Sequence, residues 1–232
     1  MNKNINFEIL FFDLDGTLTD SFEGIANGVI YALDKMGIKV NDKSDLRSFI
    51  GPPLAYEFKR KYNFSDEVCK KATSYFREYF ERQGMFENTP YEHIDDLLSS
   101  LSDAGYKSVI ATSKPEPYAK KILDHFNLSK YFTLIAGSEL NGTRLTKQDV
   151  IAYAIDRLSE ITNPTNQDSA HQIDINKILM IGDRHHDITG AKENGIASMG
   201  VLYGYGTRSE LCDAGADFIA ETVSDIKNFF IQ

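Results

Sequence analysis

Two acidic residues end an apolar run near the start of this chain. The run Phe11-Phe12-Asp13-Leu14-Asp15 puts both carboxylates directly after side chains that are typical of a buried strand. An unpaired buried charge is costly, so these acids require a partner. A metal ion that binds together with a phosphate group would balance them.

Asp13 and Asp15 have the spacing of a nucleophile and a proton carrier. Alternate residues of an extended chain point to the same side, so both carboxylates would face one ligand. One carboxylate can attack and form a covalent intermediate, which splits a difficult displacement into two easier ones. The other can give a proton to the leaving oxygen and later take one from water. Gly16 permits the sharp turn that follows. The alternative for Asp13 is a turn or helix-capping residue.

Polar residues follow two further apolar stretches. Thr112 follows the stretch that ends at Ala111, and Gly182-Asp183 follows the stretch that ends at Ile181. In a parallel sheet the ligand lies at the carboxyl ends of the strands. We therefore expect Thr112 and Asp183 to lie beside the two acids near the N-terminus.

The elements that must position these residues alternate between strand and helix. Strands are predicted at 9–12, 108–111, 133–136, 177–181, 197–202 and 217–220. Helices are predicted at 91–104, 116–126, 147–158, 188–194, near 210 and at 223–230. This alternation implies right-handed crossovers and a parallel sheet. The polar segment 160–176 is expected to be an exposed surface loop.

A stretch without a predicted strand separates the first strand from the others. Its helices are predicted at 23–36, 54–62 and 65–83. The predicted domains are an α/β core of residues 1–19 and 88–232 and a helical insert of residues 20–87.

Composition disfavours several classes of function. The 232 residues are 42% hydrophobic and carry a net charge of −9, which disfavours binding to nucleic-acid polymers and to anionic membrane surfaces. No apolar stretch is long enough to cross a bilayer, and no signal peptide is predicted.

Cys69 and Cys212 are far apart in sequence and are expected to be free thiols of a cytoplasmic protein. We expect a monomer or a homodimer.

The acids also indicate a divalent cation. Asp13, Asp183 and Asp187 would surround an incoming phosphate, and a like-charge pair about 4 Å apart costs about 1 kcal/mol in water and about 4 kcal/mol near a protein surface. Positive charge must therefore be supplied. Oxygen ligands suit Mg²⁺, which binds few carboxylates together with a substrate phosphate. A solvated acidic loop is the alternative for Asp183 and Asp187.

The order of the motifs resembles that of the haloacid dehalogenase-like superfamily of phosphohydrolases. The motifs are Asp13-x-Asp15, Thr112, Lys147 and Gly182-Asp183-x-x-x-Asp187, and the resemblance covers nearly the whole chain. It implies an α/β fold, a Rossmann-like parallel sheet core with a small inserted α-helical cap that closes over the site. The hinges of this cap are expected near 20–21 and 87–90. The dehalogenases themselves lack an acid at the position of Asp15, so this residue indicates a phosphatase.

The resemblance also implies a role for each motif. Asp13 would be the nucleophile, and Asp15 would be the general acid and base. The implied Mg²⁺ ligands are Asp13, the backbone carbonyl of Asp15, Asp183 and, directly or as an outer ligand, Asp187. The implied phosphate-binding residues are Gly16, Thr112, Ser113 and Lys147. Thr112 has an alternative role as a cap of the helix that begins near Pro115.

Two basic positions and a histidine pair require interpretation. Lys147 matches the family lysine that holds the nucleophile and the phosphate, and Lys114, near a strand end, is the alternative. His185 and His186 are adjacent, and neighbouring side chains are expected to point apart, which is poor geometry for one zinc ion. They are expected to be surface residues or to lie around the site.

The closest resemblance within the superfamily is to phosphoglycolate phosphatase-like members, including 5′-nucleotidases. The segments 51–54 and 200–206 carry it. We predict a Mg²⁺-dependent phosphomonoester hydrolase that acts through an aspartyl-phosphate on a small phosphorylated metabolite, either phosphoglycolate or a nucleoside 5′-monophosphate. The alternatives are a phosphomutase of β-phosphoglucomutase type and a non-enzymatic, phosphate-binding regulatory module.

Overall fold

The computed structural model describes residues 7–162 and 173–231. By proximity of Cα atoms the chain divides into two compact units, which are Met1–Leu18 with Tyr91–Gln232, and Thr19–Pro90. Among the described residues, no helix has the length and the apolar character that a membrane crossing requires.

Strands and helices alternate along the larger unit. The strands of the described residues are β1 (Ile9–Phe12), β2 (Thr19–Asp20), β3 (Thr89–Pro90), β4 (Lys107–Pro115), β5 (Phe132–Ser138), β6 (Ile178–Gly182), β7 (Ala197–Val201) and β8 (Phe218–Ala220). The helices are α1 (Phe22–Asp34), α2 (Leu54–Tyr62), α3 (Asp66–Arg82), α4 (Ile94–Asp103), α5 (Glu116–His125), α6 (Lys147–Thr162), α7 (His185–Glu193), α8 (Arg208–Ala214) and α9 (Val223–Phe230).

A parallel sheet forms the centre of the larger unit. Its six described strands have the order β5-β4-β1-β6-β7-β8, and every neighbouring pair is parallel. All four residues of β1 are buried, as expected for a central strand that is covered on both faces. The predicted α/β class with a parallel sheet core is confirmed.

The register of the sheet brings three chain segments to one edge. Phe12 of β1 lies opposite Ile110 of β4 and Ile181 of β6. The backbone N–H of Asp13 donates to the carbonyl of Ile181 at 3.0 Å. Asp13 is therefore the first residue beyond β1 at the carboxyl edge, level with the end of β6 at Gly182, while β4 continues beyond it to Pro115.

One face of the sheet holds the two helices that carry site residues. The buried side chains of this core include Phe11, Val109 and Met180 from the sheet, Val150, Ile151, Ala154 and Leu158 from α6, and Ala191 from α7. Burial of each large apolar side chain contributes about 1.5–3 kcal/mol. This packing fixes the first turns of α6 and α7, where Lys147 and Asp187 lie.

The smaller unit is mainly helical. A Cβ at Gly24 of α1 would lie 1.8 Å from the carbonyl oxygen of Gly84, and one at Gly28 would lie 2.8 Å from the Phe76 ring, so α1 packs closely against its neighbours. The pairing of β2 with β3 was missed by the sequence pattern, because strands of two residues show no periodicity. The assignment of residues 20–87 as a cap stays a prediction.

Several predicted boundaries differ from the structure. The strand predicted at 108–111 extends over Lys107–Pro115, and the helix predicted at 188–194 begins at His185. The loop prediction for 160–176 is wrong at its ends, since α6 continues to Thr162 and a 3₁₀ turn forms at Ile175–Lys177. Residues 163–172 of that segment lie outside the described residues.

Candidate active site

Three buried carboxylates meet at the carboxyl edge of the sheet. Asp13, Asp183 and Asp187 each offer an oxygen within 4.8 Å of the others. The exposed fractions of these residues are 7%, 0% and 0%. The chain ends of β1 and β6 supply Asp13 and Asp183, and the first turn of α7 supplies Asp187.

Lys147 is the cation at this cluster. Its Nζ lies 2.8 Å from Asp13 Oδ1 and 2.7 Å from Asp187 Oδ1, and it donates to the carbonyl of Ala111 at 3.0 Å. Burial acts to lower the pKa of Lys147, but Asp13 and Asp187 outweigh it and raise the pKa above its ordinary value. Lys147 is therefore charged at neutral pH.

The orientation of each carboxylate is fixed by backbone donors. Asp13 Oδ1 accepts from Leu14 N–H at 2.8 Å, and Asp187 Oδ2 accepts from Arg184 N–H at 3.0 Å. Asp183 Oδ2 accepts from Tyr205 N–H at 2.8 Å. Such bonds hold a side chain in one rotamer, which is what a preorganised ligand set requires.

One ammonium does not balance three carboxylates. Burial, followed by the charges of Asp187 and Asp13, raises the pKa of Asp183 well above its ordinary value. Burial likewise raises the pKa of Asp187 to about 6, although Lys147 opposes the shift. The cluster therefore has excess negative charge in a site with little solvent.

The donor set fits a hard divalent cation. Asp187 Oδ1 is buried, and the Lys147 ammonium lies 2.7 Å from it. Clustered carboxylate oxygens are the ligands that Mg²⁺ prefers. Asp13, Asp183 and Asp187 could therefore hold such an ion.

Comparison with known proteins identifies the family. Residues 10–201 match the haloacid dehalogenase-like hydrolase family. The chain belongs to this family. A 5′-nucleotidase of Pseudomonas aeruginosa is 39% identical over 207 residues, which cover 89% of this chain and 88% of the relative. A phosphoglycolate phosphatase of Vibrio parahaemolyticus is 26% identical over 229 residues, which cover 95% of each chain.

Two further proteins show the range of this haloacid dehalogenase-like group. The crystal structure of a predicted phosphatase from Clostridium acetobutylicum is 45% identical, with a TM-score of 0.88 over 97% of this chain and 98% of that one. A protein named tyrosine-protein kinase PtkA, from Mycobacterium tuberculosis, is 34% identical over 219 residues, which cover 94% of this chain and 67% of the relative. The family match, the 5′-nucleotidase and the Clostridium acetobutylicum phosphatase make the chain a phosphatase of the haloacid dehalogenase-like type.

Glycines allow the backbone of this hydrolase to approach the acids. A Cβ at Gly16 would lie 2.3 Å from Asp183 Oδ2, and one at Gly182 would lie 2.2 Å from Asp187 Cγ. Gly16 also has a φ of +84°, a conformation that favours glycine. The structure thus places Gly16 against Asp183 through its backbone alone.

The loop that follows β7 is a part of the hydrolase site that sequence reasoning missed. A Cβ at Gly204 would lie 2.4 Å from Asp183 Cβ, and one at Gly206 would lie 1.9 Å from the carbonyl oxygen of Asp183. Tyr203 donates its hydroxyl hydrogen to the carbonyl of Thr17 at 2.9 Å. The two glycines that flank Tyr205 are the signal in the sequence, and only the family resemblance includes their segment.

The two lysines of the hydrolase pair with different acids. Lys114 Nζ lies 2.8 Å from Asp15 Oδ2, whereas Lys147 lies against Asp13 and Asp187. Lys114 and Lys147 are therefore not alternatives for one position.

Thr112 and Ser113 lie within β4 and not beyond its end, which corrects the predicted boundary. The hydroxyl of Thr112 accepts from Lys114 N–H at 3.3 Å. The helix α5 begins after Pro115 without a side-chain cap, so the alternative of Thr112 as its cap is wrong. Thr112 is buried at 1% exposure.

The histidine pair opens α7. The rings of His185 and His186 have centroids 3.8 Å apart, so the expectation that they point apart is wrong. His185 Nδ1 lies 2.7 Å from Glu210 Oε1, which also accepts from Arg184 Nε at 2.9 Å. Burial, followed by His185 and Arg184, lowers the pKa of His186 to about 4, and His186 is therefore neutral at pH 7.

Proposed function

We propose that this phosphatase is a Mg²⁺-dependent phosphomonoesterase that forms an aspartyl-phosphate at Asp13. The observation that carries the proposal is the geometry of Asp13. Its carboxylate is held by Leu14 N–H and by Lys147 beside two further buried acids at the carboxyl edge of the sheet. A carboxylate that is fixed in this way can attack phosphorus without first reorganising.

The proposed reaction has two displacements at phosphorus. A carboxylate oxygen of Asp13 forms a bond to phosphorus as the bond to the leaving oxygen breaks, and Asp15 gives its proton to that oxygen. A water oxygen then forms a bond to phosphorus, Asp15 takes one of its protons, and the bond to Asp13 breaks. The products are an alcohol and inorganic phosphate, and both carboxyl groups return to their first state.

The residues that would hold Mg²⁺ are Asp13, Asp183, Asp187 and the backbone carbonyl of Asp15. When bound, the ion supplies the positive charge that allows a phosphate dianion to lie among these acids. Lys147 orients Asp13 through their ion pair, whose Nζ and Oδ1 atoms are 2.8 Å apart. For the phosphoryl oxygens we propose contacts with the Thr112 hydroxyl, the Ser113 N–H, the Gly16 backbone and Lys147.

The proposed substrate is a small phosphorylated metabolite. Two relatives support two candidates, since one is named a 5′-nucleotidase and the other a phosphoglycolate phosphatase. We place a nucleoside 5′-monophosphate first because that relative is 39% identical, and phosphoglycolate second at 26%. We further propose that residues 20–87 form a cap that closes over the substrate, and that the protein works in the cytoplasm as a monomer or a homodimer.

A phosphate-release screen tests the function. The panel contains nucleoside 5′-monophosphates, phosphoglycolate and hexose phosphates, each with Mg²⁺ and with EDTA. We expect release that requires Mg²⁺ and that disappears in Asp13→Asn, while Asp103→Asn, an exposed acid of α4, keeps full activity. Acid-quenched enzyme should carry phosphate on Asp13.

Three outcomes would contradict the proposal or a part of it. Full activity of a folded Asp13→Asn variant would exclude Asp13 as the nucleophile. Isomerised hexose phosphate without free phosphate would favour the phosphomutase. No release from any member of the panel would favour the regulatory module.

A further inference from the structure

The two carboxylate oxygens of Asp15 have different surroundings. Lys114 Nζ lies 2.8 Å from Asp15 Oδ2, and the two side chains are 5% and 11% exposed. Asp15 Oδ1 is buried and has no hydrogen-bond partner among the described residues. A buried carboxylate oxygen normally has a donor. One oxygen of Asp15 is therefore held by a cation, and the other is left open.

A bulge in β4 positions Lys114. Between the pairs Thr112–Gly137 and Pro115–Ser138, two residues of β4 have no position opposite them in β5, and the second of these is Lys114. The Thr112 hydroxyl accepts from the backbone N–H of Lys114 at 3.3 Å. Bulges beside active sites commonly redirect a side chain, and here the redirected side chain contacts Asp15.

The neighbouring strand β5 is shaped to fit this bulge. The Ser138 hydroxyl donates to the carbonyl of Ser113 at 2.7 Å. A Cβ at Gly137 would lie 2.6 Å from the carbonyl oxygen of Lys114 and 2.7 Å from the backbone nitrogen of Glu116. A larger residue at 137 would therefore displace the backbone that carries Lys114.

We propose that Lys114 is a positioning residue for the proton carrier Asp15. It holds Asp15 Oδ2, so that Oδ1 is the oxygen that exchanges the proton. The proton leaves Asp15 Oδ1 for the leaving oxygen as the phosphorus–oxygen bond breaks, and Oδ1 takes a proton from water as the water oxygen binds phosphorus. This inference rests on the proposed acid–base function of Asp15.

The dependence of turnover on the leaving group tests this role. An alkoxide leaves poorly unless it is protonated, whereas p-nitrophenolate leaves without a proton. We expect Lys114→Met to lower kcat/KM about 100-fold for the alkyl phosphate that the screen finds to be the best substrate, a nucleoside 5′-monophosphate or phosphoglycolate, the size of effect that misplacement by about 1 Å can produce. The same variant should change kcat/KM for p-nitrophenyl phosphate little, and Lys114→Arg should restore most of the loss.

Matched variants separate positioning from general damage. Lys121→Met, at an exposed position of α5, should leave kcat/KM unchanged for both substrates. In an Asp15→Asn background, Lys114→Met should cause no further loss of kcat/KM with the same alkyl phosphate, because the two residues would act as one unit. If Lys114→Met does not fold, as judged by circular dichroism, Gly137→Ala replaces it and should show the same selectivity for alkyl phosphate.

Equal losses with both substrates in a folded Lys114→Met variant would overturn the positioning role. An additive loss in the Asp15→Asn background would also overturn it. Neither result would affect the proposed function, which depends on Asp13→Asn and on Mg²⁺. An active Asp13→Asn variant would contradict the proposed function itself. That result comes from a separate variant, so the two failures can be distinguished.

Discussion

At the scale of single residues, the buried acids of this site destabilise the folded state when no cation is bound. Asp183 is fully buried and lies beside two other carboxylates. Its pKa is raised by burial and then by Asp187 and Asp13. A raised carboxylate pKa means that the folded state disfavours the charged form, and a bound cation would reverse that preference.

This arrangement predicts an unusual dependence of stability on pH. In the unfolded chain Asp183 has its ordinary pKa of 3.8, so the unfolded state loses that proton first as the pH rises. The free energy of unfolding contributed by this group therefore falls as the pH rises from about 3.8 toward the higher folded pKa. Asp187 contributes in the same sense between 3.8 and about 6.

Asp183→Asn tests the prediction, since asparagine can still accept from Tyr205 N–H. In EDTA we expect the variant to melt at a higher temperature than the native protein at pH 8, with a smaller difference at pH 4. Mg²⁺ should raise the melting temperature of the native protein and leave the variant unchanged. A variant that melts lower at pH 8 would contradict the argument, and Asp103→Asn serves as the control.

At the scale of elements, the ends of two strands, the first turns of α6 and α7 and one loop build the site. The ends of β1 and β6 supply Asp13 and Asp183, and the loop after β7 closes against Asp183 through Tyr205 N–H. The contact is possible because residue 204 has no side chain, since a Cβ there would lie 2.2 Å from the carbonyl oxygen of Gly16. The loop thus fixes the ligand and the turn after β1 together.

We therefore expect Gly204→Ala to weaken Mg²⁺ binding about 10- to 100-fold, the usual effect of removing the support of a ligand. Isothermal titration of the apoprotein with Mg²⁺ measures this change. Gly37→Ala is the matched control, because Gly37 has a φ of +76° and nothing within 4 Å of its Cβ position. That control should lower stability through backbone strain alone and leave the affinity for Mg²⁺ unchanged. Unchanged affinity in Gly204→Ala would contradict the expected role of the loop.

At the scale of the whole molecule, the residues on either side of the inserted unit are neighbours. The backbone N–H of Tyr91 donates to the carbonyl of Leu18 at 3.0 Å, and these two residues flank Thr19–Pro90. The larger unit contains the parallel sheet and the three acids. A unit with its own core and adjacent connections is expected to fold alone.

Replacement of residues 19–90 by a short Gly/Ser linker tests this independence. We expect the remaining protein to fold, as judged by a cooperative melt, and to bind Mg²⁺. It should hydrolyse p-nitrophenyl phosphate but lose its discrimination among metabolites, because the proposed cap would be absent. A molten or aggregated product would contradict independent folding, and unchanged discrimination would contradict the cap.

The sequence by itself determined the fold class and indicated the acids of the candidate site. Acids that directly follow apolar runs, such as Asp13 and Asp183, are local signals, and alternating strands and helices imply a parallel sheet whose carboxyl edge collects them. The start of α6 at Lys147 was also predicted correctly. These features depend on short stretches of chain and on one rule of topology.

Only the tertiary structure decided which groups act on which acid. The pairing of Lys114 with Asp15 depends on a bulge that β5 permits, and β5 lies about twenty residues further along the chain. The contact of the loop at Gly204 with Asp183 joins β7 to β6 in the same way. Side-chain partners of this kind are set by packing between distant segments, and a local pattern of residue types does not contain that information.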